Sequence, residues 1–197
     1  MSYKEAAWRH GVIIMVDTIE VVNCMRELRL NTRLDLEAVH QRLPHAKLYR
    51  GRPQMLVVKM SCGRNLQLFP SGCIQILGRV SQAGAVRMSC EILHHLKQLY
   101  PHLSWPVLTL KNIVVHVQLT KRIPLHRIKH SSSAVSYEPE LFPAALIRRF
   151  EPAHIAVFHT GHCIITGIKS LEQAHAIVHE LMDFLNKKDL SYKRLFS

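Results

Sequence analysis

Residues 69–78, FPSGCIQILG, read against residues 158–167, FHTGHCIITG, with every position displaced by 89. A chain that carries such a displacement is two copies of one unit, and each copy has to make sense as a set of elements by itself. The same shift takes Asn23 onto Asn112, Leu36 onto Leu125, Gly72 onto Gly161 and Ser81 onto Ser170. It also takes Ala85 onto Ala174, Glu91 onto Glu180 and Leu96 onto Leu185. The identities gather at turns, at helix starts and at the two asparagines, which favours a duplicated fold over chance.

Within each copy the elements follow from periodicity. Alternation predicts first strands over 21–30 and 110–119, and a short helix beginning at 34–39. The helix at 123–128 has Pro124, which fits only a helix start. Four strands are expected next in the first copy, over 46–50, 54–61, 65–69 and 73–79. The last two are joined by the turn at Pro70, Ser71 and Gly72, as Thr160 and Gly161 join the strands of the second copy. Each copy then closes with an amphipathic helix. Its apolar face is expected from Val86, Ile92, Leu93, Leu96 and Leu99 in the first, and Ala174, Ile177, Val178, Leu181 and Leu185 in the second. Ser81 and Ser170 are the expected N-caps. Residues 131–133, three serines, read as a loop inside the second copy. The expected division is an N-terminal extension over 1–17, a first repeat over 18–99, a linker over 100–106, a second repeat over 107–186 and a basic tail over 187–197.

With 48% hydrophobic residues the chain can bury a core. Its 26 Lys and Arg against 14 Asp and Glu give a net charge of +12, which favours a polyanionic partner before any specific contact forms. A merely basic soluble protein has the same balance, so motifs must decide. The five cysteines, Cys24, Cys62, Cys73, Cys90 and Cys163, form no CxxC. They read as reduced thiols of an intracellular protein, with neither a disulfide framework nor a zinc ribbon. The apolar run at 12–16 is too short to span a membrane, and no signal-peptide pattern surrounds it.

The segment SYEPELFP at 136–143 is followed by a basic strand, then by FxTGxxxxTGxK at 158–169 and an amphipathic helix. Together these resemble the second repeat of the TATA-binding protein core domain. Through the repeat the resemblance covers about 18–186, and it is strongest at 136–169. The chain is closest to a divergent TATA-binding-protein-related factor. The resemblance implies an α+β fold: a pseudo-twofold saddle of two repeats, a curved ten-stranded antiparallel sheet with helices on the convex face. The concave face would lie in the DNA minor groove.

Alternation then sorts the strand residues by face. Ile74 and Ile76 point toward the helices, which leaves Gln75 and Leu77 on the DNA face. Ile164 and Thr166 are their counterparts, and the first strands offer Asn23 with Met25 and Asn112 with Val114. An amide NH2 suits the minor groove, where A·T pairs present only acceptors. A lone strand asparagine is as well explained by a local bond; two at the repeat spacing favour contact with DNA. The family wedges phenylalanine pairs between base steps. Phe142 and Phe158 match the pair in the second copy, and Phe69 matches one member in the first, where Pro53 holds the other position. Arg148 and Lys169, with Arg52 and Lys59, match phosphate-contacting positions. The first copy departs at Val80, where the family has lysine, and Gln67 and Ala156 replace leucines. Gln67 and Gln75 are either simply solvated or acceptors for the guanine N2 amino group, which would relax A/T preference on that half-site.

Glu138 and Glu140 match the family's docking loop for transcription factor IIB, against the plainer reading of an acidic loop without a role. The fourteen histidines suggest no metal site: His94 and His95 are helix neighbours not expected to face each other, and His159 and His162 flank a turn. No catalytic constellation, cofactor or enzymatic activity is expected. The expectation is a nuclear, monomeric initiation factor that binds duplex DNA and factor IIB-like, and factor IIA-like, partners. The alternative is an interaction scaffold that docks basal factors and binds DNA weakly or without specificity.

Overall fold

The computed structural model describes residues 14–43 and 45–193. Of the expected extension only 14–17 are therefore described, and of the expected tail 187–193; the remainder lies outside the described residues. The first series of elements is β1 (Val16–Arg29), α1 (Leu36–Arg42), β2 (Ala46–Tyr49), β3 (Met55–Lys59), β4 (Asn65–Leu68), β5 (Cys73–Gly78) and α2 (Gln82–Leu99). The second is β6 (Thr109–Leu119), α3 (Leu125–Ser131), β7 (Val135–Ser136), β8 (Ala144–Ile147), β9 (His154–Phe158), β10 (His162–Ile168) and α4 (Leu171–Lys193). The strands form a ten-stranded sheet in the order β2-β3-β4-β5-β1-β6-β10-β9-β8-β7. The second half of that order reverses the first, as a duplicated antiparallel unit requires, and the fold is α+β. No described helix is long and apolar enough to cross a membrane. By contact density the chain divides into two units: Val22–Ile113, and Val114 onward together with the residues up to Val21.

In the Val22–Ile113 unit the register is continuous: Val57 pairs with Gln67, Gln67 with Gln75 and Gln75 with Glu27. One strand face supplies Leu28, Leu56, Leu66, Leu68, Ile74 and Ile76 to a core completed by Leu36 and Val39 of α1 and Met88, Ile92, Leu93 and Leu96 of α2. The Ser81 hydroxyl caps α2 by accepting from the Gly84 amide at 3.1 Å. Val86, expected on the apolar face, is 44% exposed instead. The buried stripe runs Ala85, Met88, Ser89, Ile92, and Val86 sits one residue, about 100° of helix, off it. Ser89 is tolerated there because its hydroxyl donates to the Ala85 carbonyl at 2.7 Å. The connecting segment is anchored on this core: Leu103 is buried, and the Tyr100 hydroxyl accepts from the Asp35 amide at 2.8 Å.

In the other unit β8 pairs with β9 and β9 with β10. Val115, Val117, Leu119, Ile155, Val157, Cys163 and Ile165 are buried, as are Ala174, Val178, Leu181 and Leu185 of α4. Phe184, absent from the expected stripe, is also buried and meets Phe150 edge to face, with centroids 6.4 Å apart. Ile177 is half-buried. Residues 14 and 15 are tied to the unit. The Ile14 amide donates to Asn186 at 2.9 Å and the Thr120 amide to the Met15 carbonyl at 2.9 Å, and β1 begins at Val16 rather than at 21.

The repeat is visible bond by bond. The Leu30 amide donates to the Gly72 carbonyl at 3.0 Å, as Leu119 does to Gly161 at 2.9 Å. Leu34 to Pro70, 3.1 Å, recurs as Ile123 to His159, 2.8 Å. Gly72 and Gly161 turn the chain at φ +80° and +90°, and a Cβ on either would run into a backbone carbonyl, of Thr32 or of Lys121. The short helices differ. Asp35 caps α1 by accepting from the Glu37 and Ala38 amides, whereas Pro124 at the start of α3 makes no side-chain cap bond.

Candidate nucleic-acid interface

Since the helix-side residues of most strands are buried, the alternate residues form an open face in each unit. In the Val22–Ile113 unit that face carries a row set by register, Val57, Gln67, Gln75 and Glu27, and beside it the pair Leu77 and Met25. Leu77 is 37% exposed, and Gln75 and Met25 are half-buried. Asn23 is exposed, and its Oδ1 accepts from the Gly78 amide at 2.9 Å. That bond engages the amide oxygen and not the Nδ2 donor, the group that acceptor-lined DNA would need. Asn112 is half-buried. Phe69 is half-buried, and Arg52, Pro53 and Lys59 are exposed.

Extending the β1 alternation two residues past Met25 reaches Glu27, which the sequence reading passed over. It is buried on the open face, 6% exposed. Arg29 Nε donates to it at 2.8 Å, Lys111 Nζ lies at 3.5 Å and the Cys73 thiol at 3.4 Å. Burial pushes the Glu27 carboxyl up, but the Cys73 thiol, the Arg29 guanidinium and the Lys111 ammonium outweigh it and hold the group below its ordinary value. Conversely, burial and the adjacent carboxylate push the Cys73 thiol up.

In the other unit the corresponding row is apolar: Leu146, Ala156 and Ile164 are paired across β8, β9 and β10 and are half-buried. Thr166 pairs with His154, and Val114 is half-buried on β6. Phe142 and Phe158 come together, centroids 6.1 Å apart at 60°, with Phe142 44% exposed. Arg148 and Lys169 are exposed. Where the first repeat has Glu27 and Cys73, the displacement of 89 puts His116 and His162. Their rings stack at 5.0 Å with Nε2 and Nδ1 2.8 Å apart. Nothing in the local pattern pairs them; the repeat offset alone could have.

The acidic loop is less free than its sequence suggests. Glu138 is ion-paired to Lys129 at 2.8 Å, and the same ammonium donates to the Tyr137 carbonyl. Glu140 is exposed, and Leu141 beside it is 86% exposed. The His94 and His95 rings, not expected to face each other, meet edge to face at 5.9 Å. Among the described residues no three His, Cys, Asp or Glu side chains are placed to hold a metal.

Residues 107–188 match the family model described as "Transcription factor TFIID (or TATA-binding protein, TBP)". The TATA-box-binding protein of Methanocaldococcus jannaschii is 27% identical over 177 residues, which cover 88% of this chain and 97% of that one. TATA-box-binding protein 2 of Haloferax volcanii is 30% identical over 172 residues, covering 85% and 92%. The solved structure of Methanococcus jannaschii TBP superposes with a TM-score of 0.73 at 27% identity, covering 87% of this chain and 99% of that chain.

Proposed function

Because the chain belongs to the TATA-box-binding protein family, we propose that it is a transcription initiation factor that binds duplex DNA through the open faces of its repeats, in the minor groove. Members of this family are not enzymes, and neither is this chain. The observation that carries the reading is the Phe142–Phe158 pair, two rings in contact on the open face with one of them well exposed. An apolar ring is costly to leave in water, and it is suited to replace base stacking at an opened step. Asn23 and Asn112 would donate to base acceptors, and Met25, Val114, Ile164 and Thr166 would pack against the bases. Arg52, Lys59, Arg148 and Lys169 would neutralise phosphates, and Phe69 would act as a single wedge in the first repeat. Gln75 and Gln67 would accept from guanine N2, so the first repeat would tolerate G·C pairs. The factor acts as a monomer where the DNA is, in the nucleus of a eukaryotic cell, and docks a factor IIB-like partner through its acidic loop. Glu140 would lead that contact because Glu138 is shared with Lys129. A factor IIA-like partner belongs to the same reading.

A second reading is favoured by the polar row of the first repeat: a scaffold that docks basal factors and binds DNA weakly. Electrophoretic shifts with A/T-rich and mixed duplexes, comparing wild type with Phe142→Ala/Phe158→Ala, separate the two. A specific complex that the double variant loses supports the initiation factor. No specific complex with wild type leaves the scaffold.

A further inference from the structure

The Glu27 cluster takes no part in the contacts assigned above. A lone carboxylate buried on a face offered to a polyanion would be costly twice, through desolvation and through repulsion. Here it is matched by Arg29 and Lys111, two cations against one anion, so the cluster keeps one positive charge in surplus. The Glu27 side chain is 7% exposed while that of Arg29 is 71% exposed. The carboxylate thus grips the guanidinium at Nε from below and leaves both terminal nitrogens without a partner among the described residues. A guanidinium fixed at one nitrogen is pre-ordered for a fork-like contact at the other two. The equivalent position of the second repeat is Gln118, whose amide donates to the Leu119 carbonyl. The first repeat also has Val80 at the site of an expected lysine.

We propose that Arg29 is a DNA phosphate contact of the first repeat and that Glu27 is its positioning residue. The proposal rests on the DNA-binding reading above. It makes a sign prediction that a merely repulsive carboxylate would reverse, because Glu27→Gln raises the net charge of the protein.

The test is duplex binding by the full chain across a salt series, with A/T-rich and mixed probes. The proteins are wild type, Arg29→Ala, Arg29→Lys, Glu27→Gln, the double variant Glu27→Gln/Arg29→Ala, and Phe142→Ala/Phe158→Ala. Arg29→Ala is expected to weaken both probes by the same factor and to flatten the plot of log affinity against log salt by about 0.9. Arg29→Lys keeps the slope. Glu27→Gln weakens binding despite its added positive charge, and the double variant binds no worse than Arg29→Ala. Tighter binding by Glu27→Gln overturns the positioning role. An unchanged slope in Arg29→Ala, an exposed substitution that leaves the core intact, overturns the phosphate contact. If Phe142→Ala/Phe158→Ala loses binding while Arg29→Ala does not, this proposal falls alone. If wild type binds neither probe, the DNA-binding reading falls and takes this with it.

Discussion

At the scale of single residues, environment separates side chains of the same type. Cys62 and Cys90 are exposed, whereas Cys24, Cys73 and Cys163 are buried. Burial pushes the Cys163 thiol up to about 12, and the thiolate is the reactive form. Titration of the native protein with a thiol reagent should therefore modify Cys62 and Cys90 quickly and Cys163 only after denaturation; fast labelling of Cys163 would contradict its placement. Glu27 makes a prediction in pH. Its carboxyl is held below the ordinary 4.5 in the folded protein. Its contribution to stability is then present above the unfolded-state value and lost as pH falls through the folded one. Thermal melts in acid should show wild type losing stability over that window more steeply than Glu27→Gln. Equal slopes would mean that the ion pairs hold nothing.

At the scale of elements, turns and caps are where local chemistry can be tested. Gly72 and Gly161 combine a positive φ with a backbone carbonyl in the space of a Cβ, while Gly63, at φ +77°, has open space there. All three alanine variants carry the left-handed penalty of about 1–2 kcal/mol, and those at Gly72 and Gly161 should cost measurably more than that at Gly63 in denaturant midpoints. Asp35→Ala removes the cap of α1 and should cost about 1 kcal/mol. The start of α3 has no such bond to lose. The turns at Gly72 and Gly161 and the cap at Ser81 were legible in the sequence, because glycine turns and N-caps are decided by neighbours a few residues away. The faces of the long helices were less so. Val86 was misplaced and Phe184 passed over because a stripe of apolar residues at helical spacing has a width, and what it packs against decides its centre.

At the scale of the whole molecule, the two repeats have kept a fold and parted in chemistry. The first presents Gln67, Gln75 and Glu27 where the second presents Ala156, Ile164 and His116. Binding-site selection should therefore return A/T pairs on one half-site and admit G·C pairs on the other. Giving the first repeat the residues of the second, by Gln67→Ala and Gln75→Ile, should move the permissive half toward A/T. Selection that returns the same A/T-only preference on both halves in wild type would refute the guanine-accepting role of the glutamines.

Much of this protein was determined by its sequence. The displacement of 89 specified the duplication and the turns at Gly72 and Gly161. Period-two alternation placed Gln75, Ile164 and Thr166 on the open face, because turn geometry and side-chain alternation are local properties of a backbone. Only the tertiary structure decided which of the side chains meet. Register and packing brought Lys111 to Glu27, His116 to His162 and Lys129 to Glu138. Each of those contacts joins residues on different strands, helices or loops. Their separation depends on how sheets pair and where helices settle, which no local period encodes.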